Sequence, residues 1–206
     1  MSESEVPTEF VRALNELGLS NASSLWGAPL TGGVSSDIWR IDTEKGAVCA
    51  KRALSKLRVK ADWYAPVERN LYEARWLQVA HQAAAACAPK LLGQHPELGV
   101  LVMQFLDPDL YRVWKQELRA GHADSQTAHA MGEILSKIHS HAAKNSHLAS
   151  EFPTDKIFLK SDWHLTCSPQ PSATPNLRTR CKRWCCKPKT MPKHWCMVMS
   201  APKTSC

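Results

Sequence analysis

Long apolar runs are missing from this chain of 206 residues. No stretch approaches the roughly 20 consecutive apolar residues that a membrane-spanning helix requires, so no membrane partner is expected. The opening residues, Met1-Ser2-Glu3-Ser4-Glu5, lack the apolar core of a secretory signal, which points to a cytoplasmic location. Glycine does not occur after Gly132, and Asp162 is the only acidic residue after position 160. Residues 161–206 are thereby excluded as the seat of a carboxylate-based catalytic or metal site. No Cys-x2-Cys pair occurs anywhere, which argues against reading Cys181, Cys185, Cys186, His194 and Cys196 as a zinc cluster. A hydrophobic content of 44% with 22% charged residues excludes a wholly disordered or collagen-like chain.

The averages conceal a break. Residues 1–160 hold 18 Lys and Arg against 18 Asp and Glu, whereas residues 161–206 hold eight basic residues against one acid and so carry the whole net charge of +7. The same 46 residues contain six of the eight cysteines and six of the 13 prolines. Such a shift marks a boundary. A basic tail of this kind binds polyanions weakly and in a salt-sensitive way, and no specific nucleic-acid recognition is expected of it.

Within the balanced part, Phe10, Leu14 and Leu17 recur at helical spacing and are closed by Gly18. A turn-forming run, Leu30-Thr31-Gly32-Gly33-Val34-Ser35-Ser36-Asp37, leads into a strand at Ile38–Ile41. Asp42-Thr43-Glu44-Lys45-Gly46 reads as a hairpin turn, and Ala47–Lys51 as the returning strand. A helix follows Pro66, with Val67, Leu71, Ala74 and Leu77 on one stripe. Val100–Phe105 reads as a buried strand. Two helices come next, one carrying Leu110, Val113, Trp114 and Leu118, the other Met131, Ile134, Leu135, Ile138 and Ala142 with Asp124 or Ser125 as its cap. The order predicts an α+β fold, with an antiparallel sheet plus helix first and a helical part second.

Three features of this order carry chemistry. A Gly-Gly-x-Ser-Ser loop between antiparallel strands (Gly32, Gly33, Ser35, Ser36) can turn backbone N–H groups and hydroxyls toward phosphate oxygens. Lys51, inside the next strand, can reach the same phosphates. A helical carboxylate could hold the lysine head. Glu73 lies about 40° from Leu77 at 100° per residue, and Glu68 flanks the stripe on its other side, so helical geometry alone does not choose between them.

Taken in order, Leu30–Ser36, Val48-Cys49-Ala50-Lys51, Glu68–Ala74, Gly99–Leu106 and Met131–His139 resemble the aminoglycoside phosphotransferase and choline kinase-like enzymes, over about Leu25 to Phe158. That resemblance implies a kinase-like small lobe over 1–106, an incomplete helical lobe over 107–158 and a tail over 159–206. It implies that Gly32, Gly33, Ser35 and Ser36 cradle the phosphates of ATP, that Lys51 contacts them and that Glu73 pairs with Lys51. Met103, Gln104 and Phe105 would belong to the linker whose backbone holds adenine. The implied partners are a nucleotide and a small hydroxyl-bearing acceptor, with Mg²⁺ in the intact family.

The family's catalytic loop, His-Gly-Asp followed by four residues and Asn, is absent from residues 1–206, and with it the base and the metal ligands. It is present in another frame. Joining the last base of each codon to the first two of the next turns Trp195–Cys206 into a string compatible with Val-His-Gly-Asp-Val-Ser-Pro-Lys-Asn-Ile-Leu. The glycine, from Met197 and Val198, is forced by the genetic code. The offset is that of one nucleotide lost, or two gained, near Phe158–Lys160. The expectation is therefore a truncated phosphotransferase that is inactive as this chain. Its helices after residue 107 would leave an apolar face exposed. The alternative is a non-catalytic nucleotide- or polyanion-binding module.

Overall fold

The turn at Glu44-Lys45 organises the centre of the molecule. In the computed structural model, which describes residues 3–158 except Thr31, Gly32, Ala61 and Ala86, it joins strands β3 (Ser36–Thr43) and β4 (Gly46–Ala53). Gly46 adopts φ 112°, and the Thr43 hydroxyl donates to the Gly46 carbonyl at 2.8 Å, which closes the hairpin. Outside this pair lie β1 (Ser4–Glu5), β2 (Trp26–Pro29), β5 (Leu91–His95) and β6 (Val100–Gln104). All six strands form one antiparallel sheet in the order β1-β2-β3-β4-β6-β5. The fold is α+β.

Helix α1 (Thr8–Glu16) packs on one face of the sheet. Gly18, at φ 67°, ends it: the Gly18 N–H donates to the Asn15 carbonyl and the Leu19 N–H to that of Leu14. This is the double bond pattern that a left-handed residue after a helix makes possible. Phe10 and Leu14 are fully buried with Ile41, Val48, Ala50, Val100 and Val102. Helix α2 (Arg69–Ala83) covers part of the opposite face, where Ala74 and Leu77 bury Leu101. Side chains alternate across a strand, so the two core clusters sort the residues of β4 and β6 cleanly. Val48, Ala50, Val100 and Val102 point to α1; Cys49, Lys51, Leu101 and Met103 point to the α2 side.

Three details differ from the sequence reading. Helix α2 begins at Arg69 rather than beside Pro66, which leaves Val67 outside it and rotates the buried stripe to Asn70, Ala74 and Leu77; Val67 and Leu71 are exposed. Helix α3 is short, Trp114–Arg119, because Asp107 closes a local turn by accepting from the Leu110, Tyr111 and Asp109 N–H groups. Strands β1, β2 and β5 were not legible, since β1 is only two residues long, β2 and β5 carry glycine, and β2 also ends in proline. Gly27 in β2 is there for close packing: a Cβ would lie 2.2 Å from the Arg40 carbonyl oxygen.

Helix α4 (Ser125–Lys144) starts where a cap was expected. Asp124 accepts from the Gln126 and Thr127 N–H groups at 3.0 and 3.1 Å. Chain contacts divide the molecule into Met1–Leu148 and Ala149–Cys206. Of the second unit the structure describes residues 149–158, comprising the end of α5 (Leu148–Glu151) and the single turn α6 (Asp155–Phe158). The expected shifted-frame tail, residues 159–206, lies outside the described residues. Among the described residues, no helix is long and apolar enough to cross a membrane.

Candidate nucleotide site

Strand register puts one face of the sheet at the centre of interest. Residues paired across antiparallel strands share a face. Ile38 pairs with Lys51 and Lys51 with Leu101; Arg40 pairs with Cys49 and Cys49 with Met103. All six therefore line the side on which α2 lies. Phe105, just past β6, joins them, with the Arg40 guanidinium 5.5 Å from its ring centroid.

Lys51 is the charged centre of this face. Its ammonium donates to both carboxylate oxygens of Glu73, at 2.6 Å to Oε1 and 2.8 Å to Oε2. The side chains are 20% and 37% exposed, so the pair is neither buried nor freely solvated. An ion pair of this exposure adds little to stability and its value is positional. The structure thus selects Glu73 over Glu68. Glu68 is the residue before the first turn of α2, so it never enters the helical face that meets the sheet.

The glycine–serine loop is the tip of the β2–β3 hairpin. Of its residues, Gly32 lies outside the described set. A Cβ on Gly33 would sit 3.6 Å from the Ser36 carbonyl oxygen and 3.7 Å from Ile38 Cδ1, and Ile38 is the cross-strand partner of Lys51. Ser35 and Ser36 are held from below. The Ser35 carbonyl accepts from the Leu54 N–H at 3.0 Å, the Val34 carbonyl accepts from the Arg58 N–H at 2.8 Å, and Ser36 is buried. Asp37 anchors the same end through Arg52 at 3.2 Å and through Arg58.

Cys49, which the sequence reading passed over as a site residue, occupies the same face two residues before Lys51. Burial pushes its thiol up to about 11, although the neighbouring Lys51 charge pulls the other way. It is a neutral, apolar surface at physiological pH. The alternation of β4 was a sufficient signal for it, since any residue two places from Lys51 shares its side.

The expected adenine linker is only partly free to act as one. Met103 and Gln104 end β6, and the Gln104 N–H donates to the Lys90 carbonyl at 2.8 Å. The Gln104 N–H is thereby engaged within the protein, while Phe105 and Leu106 lie past the strand. Two surface depressions lie elsewhere, one along α1 and one around Leu19, Lys45 and Lys90; neither touches Lys51. No group of three or more His, Cys, Asp or Glu side chains capable of holding a metal occurs among the described residues. No protein-family model matches the chain, and no curated protein matches its sequence.

Proposed function

We propose that this chain carries the nucleotide-binding lobe of an ATP-dependent small-molecule phosphotransferase of the aminoglycoside phosphotransferase and choline kinase-like kind, separated from its catalytic loop. The observation that carries the reading is the two-pronged Lys51–Glu73 pair on the sheet face that also carries Ile38, the neighbour of Gly33. A lysine held by a carboxylate keeps its ammonium at a fixed place, where triphosphate oxygens would meet it without an added ordering cost. The donor set fits ATP in part: a fixed cation, with Gly33 and Ser35 of the glycine–serine turn half-exposed, and an uncharged surface of Cys49 and Met103 beside it, whereas the buried Ser36 has no exposed hydroxyl to add. ATP, when bound, would supply the transferable γ-phosphoryl group.

The residues do not fit Mg²⁺. The His-Gly-Asp-x4-Asn string is missing, and no acidic cluster replaces it among the described residues. Without a carboxylate to orient an acceptor hydroxyl, the positioning and electrostatic contributions to phosphoryl transfer are lost. The proposed activity of this chain is ATP binding without transfer to a small hydroxyl-bearing acceptor, in the cytoplasm.

Titrating the full chain with ATP tests this. Saturable binding is expected, with Lys51→Met weakening it by about 10- to 100-fold, the range for a charge-assisted hydrogen-bond partner. Binding that ignores this substitution overturns the reading. Affinity for heparin but not for ATP, fading as salt is raised, would favour the polyanion-binding alternative suggested by the eight basic residues after position 160. Sequencing the gene across the codons for Phe158–Lys160 tests the frameshift separately.

A further inference from the structure

Arg69, the first residue of α2, makes more contacts than any motif assigned to it would suggest. One terminal nitrogen donates to the Ala65 carbonyl at 3.1 Å and to that of Pro66 at 2.6 Å. The other donates to the Ser35 carbonyl at 2.5 Å and to that of Leu54 at 2.7 Å. These four acceptors belong to three separate pieces of chain: the end of the glycine–serine loop, the residue after β4, and the segment entering α2. Burial pushes the guanidinium below its ordinary value, and the charges of Glu73 and Glu68 oppose that shift.

The sequence positions make the arrangement consequential. Leu54 is three residues past Lys51, and Glu73 is one helical turn after Arg69 on the same side of α2. A planar fork with five donors can serve four carbonyls at once, whereas a lysine ammonium has only three donors.

We propose that Arg69 is a positioning residue: it ties the glycine–serine loop, the end of β4 and the start of α2 into one frame and thereby holds Glu73 on Lys51. Its functional consequence rests on the nucleotide reading above, while the positioning itself does not need ATP. Arg69 touches no phosphate in this scheme. It sets where the groups that would touch phosphate stand before ligand arrives.

The experiment uses the full chain with Arg69→Lys, Glu73→Gln and the double substitution, each checked for cooperative melting. Acylation of the Lys51 amine at fixed pH, read by peptide mass spectrometry, reports whether its ammonium is held. Arg69→Lys is expected to raise Lys51 labelling by about three- to tenfold, in line with couplings inside one hydrogen-bond network. The double variant should label no faster than Glu73→Gln alone, because both act on the same pair. Glu68→Gln should leave labelling unchanged. Unaltered labelling in Arg69→Lys, or effects that multiply in the double variant, overturns the proposal. If Arg69→Lys does not fold, Arg69→Gln takes its place; failure of both to fold also overturns it, since Arg69 then serves the fold as a whole. Should the unsubstituted chain bind no ATP while the labelling pattern holds, the nucleotide reading falls and the positioning role stands.

Discussion

Residues 3–106 and residues 107–148 place their apolar side chains very differently. In the first region, apolar residues from α1, α2 and four strands close two clusters around a shared sheet. In the second, only Ile138 and Leu148 are buried apolar residues, while Leu110 is 80% exposed and Tyr111, Val113, Leu118 and Met131 are also exposed. Both regions form helices where their patterns predict them, with α2 and α3 starting later than expected. Helix α4 exists because its signals are local: a capping aspartate and good helix formers. The sheet exists because each strand finds a neighbour. Secondary structure alone does not make a core: the exposed apolar side chains here lie mostly at Leu110–Val113, ahead of α3, while on α4 Met131 is exposed and Ile138 is buried.

The largest test of this contrast is truncation on each side of it. Phe10→Ala removes a fully buried ring from the α1 cluster and should cost about 3–5 kcal/mol in denaturant unfolding. Leu110→Ala, at a position 80% exposed, should stay within about 0.5 kcal/mol of the parent. Equal losses at both positions would erase the distinction drawn between the regions.

Extremes of pH should separate the regions next. The Cys49 thiol is raised from 9.0 to about 11 by burial, so the folded chain holds this proton more tightly than the unfolded chain does. Its stabilising contribution is complete below about 9 and is lost as pH rises toward about 11. Cys49→Ala should flatten the alkaline limb of the melting temperature. The Asp124 carboxyl runs the opposite way. Hydrogen bonds from Thr127 and from the Gln126 and Thr127 N–H groups hold it below 3.8, so its contribution is present above that value and is lost as pH falls through the folded one. Helical circular dichroism should fall in acid, less so in Asp124→Asn, whose amide can still cap.

The smallest effect on stability is expected from charging the exposed face. Leu110→Lys with Val113→Lys should change unfolding by less than about 0.5 kcal/mol each. Light scattering should nevertheless show less self-association, because two exposed apolar side chains close in sequence are replaced by charge. Loss of stability without any change in association would show that these side chains already have partners.

Much of the fold was legible because its cues are short-range. The β3–β4 hairpin follows from Gly46 between two alternating runs, β6 from an apolar run bounded by turns, and α1 from a 3.6-residue repeat closed by Gly18. The strands that were missed, β1, β2 and β5, are short or carry glycine, and each pairs with a neighbouring strand. The candidate site divides in the same way. Lys51 and a helical carboxylate could be named from order and period, whereas the choice of Glu73 depended on where α2 begins.

The residue pattern by itself therefore determined the α+β class, the helices, the β3–β4 hairpin with β6, and which side chains share a strand face, since alternation and helical repeat are properties of the chain alone. Only tertiary structure decided that α2 starts at Arg69, that Glu73 rather than Glu68 meets Lys51, and that one guanidinium joins three distant segments. The last of these depends on the Ser35 and Leu54 carbonyls, far from Arg69 in sequence, being brought within hydrogen-bonding distance, and backbone groups, identical at nearly every position, leave no mark in the residue pattern.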